Sequence, residues 1–219
     1  MSKKVCAIVG FGSGVSMGVA RAFAKEGFAL ALVARSPSNL TNNAQTLKED
    51  GYSVLTFAAD AGDEASLVQA FTQIRTELSD PEVLIYNAAA FTPGKPSSIS
   101  LEALVADFRV NVAGALVAAQ QVIPAMKANG KGTILLTGGG LALHPFAEAA
   151  SLSIGKAGIR SLAFTLAQEL KASGIHVGTV TICGTVQSGT HFDPDLIAPS
   201  YLTLHKQSQA AFETEVIYQ

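Results

Sequence analysis

The sequence predicts an α/β fold. It reads as a single doubly wound domain over residues 1–219, with a parallel sheet of about seven strands and helices on both faces. Three observations predict it. Short apolar runs alternate with helix-spaced segments along the whole chain. The strand-like runs lack polar alternation, as strands buried on both faces do. A glycine-rich turn joins the first strand to the first helix.

Lys4–Val9 reads as a buried strand, short and ended by glycine. Val15–Glu26 has helical spacing, with Val15, Val19, Ala22 and Phe23 on one side and Gly27 as the stop. Ala29–Ala34 is a second apolar strand, Asn39–Asp50 a polar helix and Ser53–Ala58 a third strand. Gly62-Asp63-Glu64 opens a helix to about Leu78, with acids in the first turn where the helix dipole favours them. Val83–Tyr86 is a fourth strand and Leu101–Met126 a long helix. Thr133–Thr137 is a fifth strand, Ala147–Ala172 a second long helix and Ile175–Ile182 a sixth strand. A polar connection, a small helix near Leu196–Lys206 and a last strand, Glu213–Tyr218, complete the chain.

Of the 219 residues, 48% are hydrophobic and 15% charged, which excludes disorder and allows a substantial core. The net charge is −2 with both signs interspersed, so no nucleic-acid face or basic membrane patch is expected. Cys6 and Cys183 lie far apart and offer neither metal spacing nor a disulfide framework. Cys6 falls inside an apolar strand and reads as core. Met-Ser-Lys-Lys runs straight into Val5–Val9, a run too short for a signal peptide, and no apolar run is long enough to span a bilayer. A soluble, reduced, cytoplasmic protein is expected. Both long helices are small and apolar all round, which suggests a homo-dimer or homo-tetramer formed through them.

Gly10-Phe11-Gly12-Ser13-Gly14-Val15-Ser16-Met17-Gly18 lies between strand and helix. Glycines there permit a tight turn and let backbone N–H groups approach a pyrophosphate at a helix N-terminus. In an alternating chain this points to a Rossmann-type dinucleotide site. A site for NAD usually carries an acid about 20 residues further on. Here the second strand ends Val33-Ala34-Arg35-Ser36, with no acid. Arg35 and Ser36 suit a 2′-phosphate, so NADP(H) is favoured over NAD(H).

These residues resemble the short-chain dehydrogenase/reductase family over almost the whole length. That family's Gly-x-x-x-Gly-x-Gly loop falls on Gly10, Gly14 and Ser16, with serine in place of the last glycine. The resemblance places Asp60 at the adenine. Asn87-Ala88-Ala89 stands for the family's Asn-Ala-Gly, with Tyr86 in place of a preceding asparagine. Asn111 matches a helix asparagine that supports the catalytic lysine through water, and Lys156 matches that lysine. Cys183-Gly184-Thr185-Val186-Gln187-Ser188 is similar to the segment lining the nicotinamide. The cofactor set implied is Gly10, Gly12, Ser13, Gly14, Val15, Ser16, Arg35, Ser36, Asp60, Asn87, Ala88, Lys156, Gly184 and Val186, with no metal.

The family's reaction moves a hydride and a proton, the proton through a tyrosine four residues before the lysine and a serine that holds the carbonyl oxygen. Here the tyrosine position is Leu152, and the serine falls near Gly138-Gly139. Ser151 and Ser153 flank Leu152, but a helix turns them about 100° to either side. Thr137 and His144 stand as substitutes, His144 because its pKa suits a proton donor. His191, His205 and Cys183 each have ordinary structural explanations. Residues 187–213 are short for the segment that usually covers a small-molecule substrate in this family. Three readings stay open: an oxidoreductase for a carbonyl/alcohol pair with a non-standard proton donor, a non-catalytic NADP(H)-binding sensor or scaffold, and an interaction module that binds no nucleotide.

Overall fold

A computed structural model describes residues 4–219. Seven strands form one parallel sheet in the order β3-β2-β1-β4-β5-β6-β7. They are β1 (Val5–Val9), β2 (Ala29–Ala34), β3 (Val54–Ala58), β4 (Val83–Tyr86), β5 (Gly132–Thr137), β6 (Ile175–Ile182) and β7 (Glu215–Tyr218). Every pairing is parallel, from Val5 opposite Ala29 to Ile182 opposite Tyr218. Strand order reverses between β1 and β4, where a doubly wound sheet opens a crevice at its carboxyl ends.

The helices are α1 (Val15–Lys25), α2 (Pro37–Glu49), α3 (Glu64–Glu77), α4 (Leu101–Phe108), α5 (Gly114–Asn129), α6 (Ala150–Leu170) and α7 (Pro194–His205). One core layer holds α3, α5 and α6 against the sheet through Phe71, Ala118, Val122, Ala163 and Leu166. The other holds α1, α2 and α7 through Phe23, Leu40, Leu47, Ile197 and Tyr201. Full burial of each large apolar side chain stabilises by roughly 1.5–3 kcal/mol. No helix among the described residues is long and apolar enough to cross a membrane.

Several boundaries differ from the sequence reading. The helix expected over Leu101–Met126 is interrupted by a π-helical turn, Arg109–Ala113, between α4 and α5. Side-chain demands at that turn account for the break. Tyr86 Oη donates to the Val110 carbonyl, and the Asn111 amide pairs with the backbone of Ala90. Such bulges recur at functional sites.

Helix α2 begins at Pro37, with Ser36 as its cap and proline at the first position, where no N–H is missed. Helix α6 begins at Ala150, because residues 146–149 form a turn whose Ala149 bridges to Gly94. Helix α7 begins at Pro194, capped by the Asp193 carboxylate. It packs on α1 so closely that a Cβ at Gly18 would meet the Pro194 carbonyl at 2.4 Å. The middle of the expected substrate-side segment 187–213, Pro194–His205, is therefore a helix packed into the core.

Candidate functional site

A cleft of about 710 Å3 opens at the reversal in strand order. Its walls are the β1–α1 loop (Gly10 to Ser13), the end of β2 (Ala34 to Ser36) and the segment after β4 (Asn87 to Ala89). Ala59, Ala61 and Val110 close it on the β3 side.

The glycine loop is held from behind. Gly10 has φ +81°, and a Cβ there would stand 2.2 Å from the Ala88 nitrogen. Only glycine fits that left-handed position against backbone. Asn87 Nδ2 donates to the Gly10 carbonyl at 3.0 Å, tying β4 to the loop. Gly12 and Gly14 face open space. No side chain caps α1 at Gly14 and its first turn carries no acid, so its N-terminal N–H groups are left for an anion. Ser16 is buried and does not reach the cleft. Its hydroxyl accepts from Gly12 N at 2.9 Å and donates to Gly12 O at 3.2 Å, which stiffens the loop. Val15 packs in the core.

At the far end of the cleft Arg35 is exposed, and among the described residues no carboxylate pairs with it. Ser36 lines the cleft and also caps α2 by accepting from Asn39 N. Asn39, Asn42 and Asn43, which were not among the residues expected from sequence, stand on the same wall, placed there by α2. Their signal was the spacing of three asparagines at i, i+3 and i+4 on the helix that follows Arg35-Ser36. Asp60 is exposed and outside the cleft lining. Its carboxylate accepts from Gly62 N at 2.8 Å.

The other end of the site lies past Ala89. The Asn111 amide donates to Ala90 O at 2.9 Å and accepts from Ala90 N at 2.8 Å, so this side chain is spent on the loop after β4. Buried Asp107, one turn earlier, accepts from Thr92 N at 2.7 Å. Lys156 Nζ donates to the Thr137 carbonyl at 2.8 Å. Burial of its ammonium lowers the pKa to about 8. Its stem lies against Gly139, where an added Cβ would meet Cε at 3.2 Å. A Cβ at Gly138 would meet the hydroxyls of Thr179 and Thr181 at 2.7 Å. The two glycines at the expected serine position are thus filled from outside, by neighbouring side chains.

Of the two expected substitutes, Thr137 points elsewhere. Thr137 alternates to the opposite face of the sheet from Lys156, and its Oγ1 lies 2.8 Å from Tyr201 Oη on α7. His144 is exposed in the loop after β5. His205 pairs with Thr133 Oγ1 and His191 with the Gln219 carbonyl, both structural. Gly184 is covered by the Phe192 ring, and Val186 is exposed beside it. Neither lines the cleft.

A family model described as short chain dehydrogenase matches residues 4–193. The chain belongs to the short-chain dehydrogenase/reductase family. Among curated members of this family, 2,3-dihydro-2,3-dihydroxybenzoate dehydrogenase from Bacillus subtilis is 29% identical over 178 residues, 81% of this chain and 68% of that protein. Human 3-oxoacyl-[acyl-carrier-protein] reductase is 25% identical over 177 residues, 81% of this chain and 73% of its own. A solved metagenomic short-chain oxidoreductase in complex with NADP superposes with TM-score 0.89 at 24% identity, covering 99% of this chain and 96% of the other. L-Sorbose reductase from Gluconobacter frateurii, complexed with NADPH and L-sorbose, gives TM-score 0.90 at 22% identity, covering 99% and 95%. These two likenesses establish the fold.

Proposed function

We propose that this protein is an NADP(H)-dependent oxidoreductase that interconverts a carbonyl and an alcohol without a tyrosine as proton donor. The observation that carries the reading is one cleft walled together by Gly10, Gly12 and Ser13, by Arg35 and Ser36, and by Asn87 and Ala88. The uncapped α1 N-terminus fits a pyrophosphate, and the exposed Arg35 fits a 2′-phosphate. The family resemblance assigns Asp60 to the adenine side and Lys156, Gly184 and Val186 to the nicotinamide side, all four outside the lining of the cleft itself. When bound, the cofactor supplies or accepts the hydride. Asn111 fixes the loop that continues the cleft wall. The NADP and NADPH named with two similar structures support the same choice of cofactor.

Calorimetric titration with NADPH and NADH, followed by transfer from C4-deuterated NADPH across a carbonyl panel, tests this reading. NADPH should bind tighter, and deuterium should appear in an alcohol product. Absence of transfer to every carbonyl would refute the enzymatic reading.

A second reading, a non-catalytic NADP(H)-binding sensor or scaffold, is favoured by the orientation of Thr137 and the exposure of His144. Tight NADPH binding without transfer would select it. The proposed assembly is a homo-dimer or homo-tetramer through α4, α5 and α6. Leu101, Val105, Phe108, Leu116 and Ile154 stand exposed on those helices, and sedimentation of the purified chain checks it.

A further inference from the structure

Most proton-bearing side chains around the end of β5 are occupied. The exceptions besides Lys156 are the Thr179 hydroxyl, fully buried beside Gly138 with no partner among the described residues and closed off from solvent, and His144, exposed in the loop after β5. Ser151 Oγ donates to Thr92 O at 3.2 Å. Ser153 Oγ is held by the Phe146 backbone, accepting from its N–H at 3.2 Å. Thr137 Oγ1 is bonded to Tyr201 on the far face, and the Asn111 amide is closed on Ala90. The Cys183 thiol lies 3.8 Å from the Thr181 carbonyl. The Thr181 hydroxyl donates to Glu215 at 2.6 Å. Lys156 is different. An ammonium has three N–H donors, and one of them meets the Thr137 carbonyl. The others have no acceptor among the described residues.

The surroundings of Lys156 also matter. Leu152 stands one helical turn before it, on the same side of α6, and adds apolar surface where a hydroxyl would otherwise sit. Of the charged groups on the elements packed around α6, Arg109 of the π-helical turn and Glu102 of α4 are exposed, and two others are engaged. Arg160, one turn further on, forms a two-toothed pair with Glu215 of β7. Asp107 of α4 is bonded to Thr92. Neither group is left to hold the Lys156 ammonium in its charged form.

We propose that Lys156 is itself the proton donor and acceptor of the reaction, in place of the absent tyrosine. This rests on the oxidoreductase reading above. In the reducing direction the carbonyl carbon accepts a hydride, and the C=O π pair withdraws onto oxygen. That oxygen takes a proton from Nζ, which keeps the N–H electron pair as a neutral amine. The two electrons come with the hydride from reduced nicotinamide, and water returns the proton to Nζ. In the oxidising direction the neutral amine removes the alcohol proton. A donor works best when its pKa lies near the working pH, and burial brings Lys156 to about 8. Reduction should therefore run fastest below about pH 8 and fall above it, with oxidation showing the reverse.

The test combines two variants with a direct titration. Lys156→Arg keeps a cation beside the Thr137 carbonyl but cannot release its proton. Lys156→Met removes both. Both should lower turnover by about 10²–10⁴-fold, and the Arg variant should also lose the pH inflection. Carbon-13 NMR of ε-labelled lysine in the cofactor-free protein should show one resonance titrating near pH 8 that is missing from the Met variant. Wild-type turnover and pH profile in Lys156→Arg would overturn the proposal, as would a Lys156 midpoint at the ordinary lysine value of about 10.4. If the wild-type protein transfers no deuterium to any carbonyl, the oxidoreductase reading fails and the proposal falls with it. Transfer that is indifferent to Lys156→Arg sinks the proposal alone.

Discussion

Thr137 turns its hydroxyl onto Tyr201 at 2.8 Å, and both residues are buried between β5 and α7. Burial pushes the Tyr201 phenol up, and the bond to Thr137 works against that rise. The hydroxyl nearest to the end of β5 is therefore structural. Thr137→Val should cost about 1–3 kcal/mol of stability by stranding a buried phenol. NADPH affinity should be unchanged. Denaturant unfolding and calorimetry measure the two.

Arg35 stands exposed at one end of the cleft with no carboxylate partner among the described residues. Arg35→Ala should weaken NADPH by about 10- to 100-fold, the equivalent of roughly 1.5–3 kcal/mol for a charge-assisted contact. NADH binding should change little. Paired calorimetric titrations give the ratio directly.

Gly10 occupies φ +81° with the Ala88 nitrogen 2.2 Å from where a Cβ would be. Gly10→Ala should destabilise by more than the roughly 1–2 kcal/mol of a left-handed backbone alone, because backbone must move as well. The loop should also bind NADPH more weakly. Thermal unfolding and titration of the same sample check both effects.

Glu215 joins β7 to the rest of the molecule. It accepts from Arg160 at 2.7 Å and from the buried Thr181 hydroxyl at 2.6 Å. The Arg160 hydrogen bonds hold its carboxyl below the usual 4.5. Because its folded pKa is depressed, the stabilisation is complete above about pH 4.5 and is lost as pH falls through the folded value. Glu215→Ala should cost about 1–3 kcal/mol at pH 7, toward the lower figure because Arg160 is partly exposed. The gap between wild type and variant should narrow in acid, as thermal unfolding at pH 7 and pH 3 would show.

Much of this was legible in the chain. Apolar runs located every strand, glycine stops closed the first strand and the first two helices, and the order of loop, Arg35 and Asn87 located the cleft. Strand periodicity would also have placed Thr137, since it shares a face with Leu135, which packs in the α1–α7 layer. Asp193-Pro194 was a readable helix start, with a capping acid before a proline, although the helix was expected two residues later. The π-helical turn was not readable. It depends on Tyr86 and Ala90, which are distant in sequence from Arg109–Ala113 and impose no local pattern there. Nor could sequence show that Ser16 would turn inward onto Gly12, since a small hydroxyl serves either direction.

The segment after β6 is fastened on several sides. Cys183 N donates to Tyr218 O, Tyr218 Oη donates to His191 O, His191 bonds the Gln219 carbonyl, and Phe192 covers Gly184. A segment tethered in this way has little freedom to swing across the carboxyl ends of the strands. Nucleotide binding to the free protein should then proceed as a single relaxation, with an observed rate that climbs linearly with nucleotide concentration and no plateau from a gating step. Residence time would be set by the contacts themselves.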